Sequence, residues 1–276
     1  MTLFFAIFGA LGLFLYGMKV MSEGLQKVSG EGLRALIRNM TRNRFSGIMS
    51  GTLMTTLVQS SSATTVMIVS FVNARLLTLT ESIGMIMGAN LGTTTTFWIV
   101  AFLGFKFSLA KIALPCVGIG VAMIFFKRPK VRDSGEALIG FGLLFLGLSL
   151  LKKAVPDVKS DPELFAFLAD WSGMSGSIFI FFVFGIILTV VVQSSSVAGA
   201  ITLTLAAKGW IGYEDAAAIV LGENVGTTIT ANLAAMTAGT DAKRAARAHF
   251  MFNMVGVLWM IPLFGLFAGM IDKLVP

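Results

Sequence analysis

Charge is what this sequence has least of. Asp, Glu, Lys and Arg make up 13% of its 276 residues, while 56% are hydrophobic. A soluble domain carries about a quarter charged residues, so a soluble enzyme domain and a disordered chain are both excluded. With a mean hydropathy of +0.86, the chain reads as an all-α integral membrane protein. Cysteine is nearly absent: the single Cys116 excludes an intrachain disulfide and, lying in an apolar run, reads as a small buried hydrophobe. No Cys/His metal cluster, no Gly-Lys phosphate loop and no paired cytosolic carboxylates are present. Ser149-Leu150-Leu151-Lys152 has a Ser-x-x-Lys spacing but no companion motifs. The chain is read as a non-enzyme, without a cofactor. Its net charge of +7 marks cytoplasmic loops rather than a nucleic-acid site.

What is present is a series of long uncharged runs of uneven length. Met1–Met18 has no basic leader and reads as a first membrane helix. Ser46–Ala74 spans 29 residues and is interrupted by Gln59-Ser60-Ser61-Ser62. Each arm beside that cluster is about 18–20 Å long as a helix, short of the roughly 30 Å hydrocarbon core. Two short arms meeting at a polar tip read as a re-entrant helical hairpin facing a cavity. The alternative is a plain helix pair with a serine-rich packing face.

The same cluster returns as Gln193-Ser194-Ser195-Ser196, 134 residues later. A second motif repeats at the same offset: Gly88-Ala89-Asn90-Leu91-Gly92-Thr93-Thr94 and Gly222-Glu223-Asn224-Val225-Gly226-Thr227-Thr228. Gly12–Gly17 and Gly142–Gly147 match more loosely, at an offset of 130. The chain is thus read as a duplication, with a first repeat over 1–133 (hairpin 46–74) and a second over 134–276 (hairpin about 176–207). Threading the helices so that basic loops face inward leaves 14 of the 21 Lys and Arg on the cytoplasmic side. Three full crossings per repeat then invert the second relative to the first. Inverted repeats with a discontinuous helix in each are a common plan of secondary transporters, with the site at the repeat interface. Leu25, Val28, Leu33, Leu36, Ile37 and Met40 recur at helical spacing among basic residues and read as an amphipathic helix in the interface. Pro115 and Pro262 lie within spans and predict kinks.

The two motifs differ in chemistry. Gln-Ser-Ser-Ser offers hydroxyls, an amide and the free N–H groups of the helix that follows, which suits an oxyanion without an arginine. In the Gly-x-Asn-x-Gly-Thr-Thr segments the glycines weaken the helix, and an unwound turn with neutral oxygens suits a small cation such as sodium. Close helix packing at small residues is the competing explanation. Glu223 is the one acid at membrane depth, either a cation or proton carrier or a satisfied structural group. His249, the only histidine, reads as structural, with Asn253 one turn beyond it able to reach the cavity.

These paired motifs, with His249-Phe250-Met251-Phe252-Asn253, resemble the type II sodium-dependent phosphate cotransporters and their bacterial relatives (solute carrier family 34-like) over nearly the whole chain. The resemblance implies sodium-coupled symport of inorganic phosphate across the cytoplasmic (inner) membrane by alternating access. It implies phosphate held by Gln59, Ser60, Ser61, Ser62, Gln193, Ser194, Ser195 and Ser196, between the two tips. Sodium, the co-substrate, would bind Asn90, Thr93, Thr94, Glu223, Asn224, Thr227 and Thr228. The partners are then phosphate, sodium and the lipid bilayer, with no nucleic acid; a homodimer is one assembly open to it. A sodium-independent phosphate exporter or channel, or a phosphate-sensing subunit without flux, are the rival readings. Many bacterial relatives continue into further helices and a soluble helical domain, whereas this sequence ends at Pro276. The acid tied to electrogenic transport in some animal members is missing around Ala110–Gly118.

Overall fold

The computed structural model of the chain describes residues 2–39, 44–103, 109–157, 163, 165–172 and 174–274, with side chains also left out at 2, 30–39, 44, 103, 109–112 and 272. The described residues are all-helical and contain no strand. Helix α1 (Thr2–Asn39) is followed by α2 (Arg44–Val58), α3 (Ser61–Asn73) and α4 (Leu79–Trp98), which runs into a π-helical turn at Ile99–Leu103. Then come α5 (Leu109–Ile124), α6 (Pro129–Ala154), α7 (Ala166–Ser172), α8 (Ser177–Val192) and α9 (Ser195–Ala207). The chain continues through α10 (Tyr213–Gly226), α11 (Thr228–Ala235) and α12 (Thr240–Leu274). Among the described residues, four stretches are long and apolar enough to cross a membrane: Leu3–Ser29, Leu79–Phe102, Pro129–Ala154 and Thr240–Ile271. Pro115 and Pro262 lie inside α5 and α12, neither of which is broken by them.

The amphipathic segment expected after the first span is not a separate helix. It continues α1 to Asn39, because nothing between Met18 and Asn39 caps or breaks the helix. Leu25 and Val28 lie along the α1–α6 groove; Leu33, Leu36, Ile37 and Met40 fall outside the described side chains.

Helices α2–α3 and α8–α9 are two hairpins of matching geometry. Their arms have 15 and 13 residues in the first and 16 and 13 in the second, each about 20–24 Å long. At both tips the chain turns on a glutamine in the left-handed region, Gln59 (φ 54°) and Gln193 (φ 57°). An extended serine follows each, Ser60 (φ −152°, ψ 108°) and Ser194 (φ −152°, ψ 112°). Each serine caps the next helix, accepting from Ala63 N at 3.2 Å and from Val197 N at 3.4 Å. The helix after each hairpin is capped by an acid in matching position. Glu81 accepts from Thr78 N at 2.8 Å, and Asp215 from Gly212 N at 3.1 Å.

Glycines set how the helices meet. A Cβ on Gly51 or Gly88 would lie 2.0 Å from the carbonyl oxygen of Met85 or Ile48, fixing α2 against α4. A Cβ on the counterparts Gly185 or Gly222 would lie 2.1 or 2.0 Å from the carbonyl oxygen of Ile219 or Phe182, fixing α8 against α10 in the same way. This use of the glycines corrects one expectation. Helix α4 runs unbroken through Gly88–Thr94, because Gly88 and Gly92 face the α2 backbone and the packing they permit offsets their low helix propensity. The second copy has only a slight break, at Thr227 between α10 and α11, where the residue keeps helical dihedrals (φ −58°, ψ −26°) and its N–H still donates to Glu223 O at 3.0 Å. There the hydroxyls of Thr227 and Thr228 donate to Glu223 O and Val225 O, each at 2.7 Å, so side chains occupy carbonyls near the break.

Helices α1 and α6 pack backbone to backbone and antiparallel. Along this seam Phe14 meets Gly147, Gly17 meets Leu144, Met21 meets Gly140 and Gly24 meets Ala137. The first two contacts are reciprocal: Gly147 and Leu144 are the positions that match Gly17 and Phe14 in the 130-residue repeat. Exposed Lys27 and half-buried Glu136 form an ion pair across the same seam. One core cluster packs α2–α4 on Ala231, Ala235, Ala242, Ala245 and Ala246 of the second half, and another packs Val197 and Ala200 of α9 on Phe14, Val100 and Phe145.

Candidate ion-binding site

Between α4, α9 and α10 lies a cavity of about 390 Å3, lined by Asn90, Thr93, Thr94, Phe97, Trp98, Ala101, Leu203, Val220 and Asn224. Asn90 and Asn224 are the matching asparagines of the two Gly-x-Asn-x-Gly-Thr-Thr segments, so both repeats supply an amide to one space. Thr93 and Thr94 donate to their own helix, at Ala89 O (3.1 Å) and Leu91 O (2.6 Å). A hydroxyl whose proton is spent in this way keeps lone pairs free to accept or to ligate a cation.

Of the second segment, Asn224 faces the cavity, while Glu223, Thr227 and Thr228 are buried. Glu223 is 1% exposed. Its Oε1 accepts from Thr202 Oγ1 at 2.8 Å, and its Oε2 is buried with no partner among the described residues. Thr202 is a contact that sequence reading missed, although it lies seven residues, about two helical turns, past Ser195 on the same face of α9.

The two glutamines differ. Gln59 is buried, its Nε2 donating to Thr56 O and its Oε1 accepting from Thr96 Oγ1 at 3.0 Å. The first tip is thereby tied to α4. Gln193 is exposed; its Nε2 donates to Val190 O at 2.5 Å, and its Oε1 has no described partner. Ser61, Ser62, Ser195 and Ser196 donate their hydroxyls to no described residue, so they remain available, as do the first N–H groups of α3 and α9. No described cavity is lined by both clusters. Gln59 lines a separate cavity of about 440 Å3 along α1 and α6, with Met21, Leu25 and Phe141. Beside the second tip the first half contributes Phe97, whose ring fills the space a Cβ on Gly199 of the second hairpin would take. Thr96 and Phe97 extend the repeated motif, and their neighbouring roles on the two hairpins were not read from sequence. Sequence reading also left His249 as structural; its ring reaches Asn90 Oδ1 at 3.1 Å.

These features define an all-helical integral membrane protein with amide and hydroxyl groups facing an open, largely apolar cavity. The sequence matches the Na+/Pi-cotransporter family over residues 13–153 and 171–273, and the chain belongs to that family. It is 30% identical to the uncharacterized protein YqeW of Bacillus subtilis, over 95% of this chain and 83% of that protein. It is also 30% identical to YjbB of Escherichia coli K12, named for inorganic phosphate export, over 97% of this chain and 48% of that protein. The human sodium-dependent phosphate transport protein 2B is 38% identical over 35% of this chain and 14% of its own length. The chain thus spans most of the Bacillus relative but about half the length of the enterobacterial one. No solved structure gives a significant match.

Proposed function

We propose that the chain carries inorganic phosphate across the cytoplasmic membrane in symport with sodium, by alternating access of two inverted repeats. The observation that carries this reading is the single cavity shared by Asn90 and Asn224, matching residues of the two halves. Transporters built on inverted repeats place their site at the repeat interface. Three further features support it. The α1–α6 seam is antiparallel and reciprocal, as a two-fold axis in the membrane plane requires. The arms of both hairpins are shorter than the hydrocarbon core, as in re-entrant hairpins. Glu223 keeps one buried oxygen without a partner, an arrangement that a co-bound cation neutralises.

In this mechanism phosphate is held by neutral donors: the hydroxyls of Ser60, Ser61, Ser62, Ser194, Ser195 and Ser196, the amides of Gln59 and Gln193, and the helix N-termini at both tips. Gln59, whose amide is committed to Thr56 and Thr96, chiefly fixes its tip. Gln193 has its carbonyl free and follows the ion. Sodium is taken by Thr93, Thr94, Glu223, Thr227, Thr228 and the asparagines Asn90 and Asn224. Its charge offsets that of phosphate and lets the loaded carrier reorient.

The name of the enterobacterial relative favours a second reading, phosphate export on the same fold. Radiolabelled phosphate flux in proteoliposomes separates them. Symport predicts that sodium lowers the phosphate concentration for half-maximal flux; sodium-independent export predicts that potassium serves equally well. A Gln59→Ala, Gln193→Ala double variant that folds and carries phosphate at the wild-type rate would remove the proposed phosphate site.

A further inference from the structure

Asn90, His249 and Asn253 form a closed set of hydrogen bonds joining α4 of the first half to α12 of the second at the cavity wall. One atom fixes the direction of every bond in it. The main-chain carbonyl of His249 only accepts, so the Asn253 atom 2.9 Å from it is the amide nitrogen. Asn253 Oδ1 then faces Asn90 and accepts from its Nδ2 at 3.0 Å. That turns Asn90 Oδ1 towards His249 Nε2 at 3.1 Å, and an oxygen that only accepts requires the proton on Nε2. Nδ1 is left buried with no partner among the described residues, in a residue that is 0% exposed. An unsatisfied buried ring nitrogen is costly, so the ring is held in place for what its other nitrogen does.

The second half has no such clamp. Asn224, the counterpart of Asn90, is exposed to the cavity and bonds no described residue. At the positions matching His249 and Asn253 the first repeat has Pro115 and Ile119, neither able to hold an amide. We propose that His249 is a positioning residue: through Nε2–H and Asn253 it holds the Asn90 amide rigid on the cavity wall, while Asn224 stays free to follow the ion. The inference rests on the reading of this cavity as the ion site.

His249 is the only histidine, so [15N]histidine labelling of the chain, purified without a histidine tag, gives a single imidazole spectrum. The expected spectrum has a protonated Nε2 and a bare Nδ1. Added sodium should move the Nε2 signal, and Asn90→Ala should abolish that response. In proteoliposomes His249→Leu should raise half-saturating sodium about tenfold while leaving the maximal rate within about twofold. His249→Gln, which keeps an N–H donor near Nε2, should restore the wild-type value to within about threefold. His249→Leu added to Asn90→Ala should cost nothing further, as expected when one residue acts through the other. An Nδ1-protonated ring, or additive losses in the double variant, would overturn the positioning role. Absence of sodium-dependent flux in the wild type would overturn the transport reading alone, because the tautomer and its sensitivity to Asn90 decide the positioning role without flux.

Discussion

Glu223 concentrates the chemistry of the molecule in one side chain. It lies on an apolar helix, bonded to Thr202 through one oxygen and bare at the other. Removing its charge should test its role without dismantling its surroundings. Glu223→Gln keeps an acceptor for Thr202, so the protein should melt at or above the wild-type temperature. Half-saturating sodium for phosphate flux should rise by about tenfold or more, since losing a bond to a charged group costs roughly 1.5–3 kcal/mol. Unchanged sodium dependence would make Glu223 a structural residue. That Asn90, Thr93, Thr94 and Asn224 stand out was legible in the sequence, because polar groups in apolar runs are rare and costly there, and these four line the cavity. What each does was less legible. Gln59 and Gln193 are equivalent in motif and in backbone, yet Thr96 engages one and nothing described engages the carbonyl of the other. That difference comes from neighbours distant in sequence, which no local pattern encodes.

At the scale of elements, the hairpins depend on their caps and the helix pairs on their glycines. Ser60→Ala and Ser194→Ala each remove an N-cap and should cost about 1 kcal/mol in thermal unfolding in detergent. Gly88→Ala and Gly222→Ala push a Cβ into a carbonyl oxygen 2.0 Å away, and each should destabilise by roughly 1–3 kcal/mol. Gly256→Ala, with nothing within 4 Å of the new atom, should instead be neutral or stabilising by up to about 1 kcal/mol. Equal effects at all three positions would refute the packing account. The two hairpins could be read from sequence because their lengths and polar tips are local properties. The continuity of α4 could not. Glycine favours both a broken helix and a close helix contact, and only the position of Ile48 across the interface decides between them.

At the scale of the whole molecule, the proposed mechanism requires the two halves of the duplicated chain to point in opposite directions across the membrane. Ala74 and Ala207 are exposed and lie at the C-terminal ends of the two hairpins, Ala74 just past α3 and Ala207 as the last residue of α9. Cysteines placed singly at these positions, after Cys116→Ser, should react with a membrane-impermeant thiol reagent from opposite faces, Ala74→Cys from the cytoplasmic side. Reaction of both from one face would exclude inversion while leaving the family assignment intact. The duplication was legible because two polar motifs keep one offset; the seam between α1 and α6 was not, because its contacts are glycines against backbone. The central claim is coupling, and one measurement addresses it most directly: phosphate accumulation in proteoliposomes under an imposed inward sodium gradient. The account predicts transient accumulation of phosphate above its external concentration, decaying as the gradient dissipates and absent when sodium is equal on both sides. Phosphate that only equilibrates, at the same rate with or without the gradient, would contradict it.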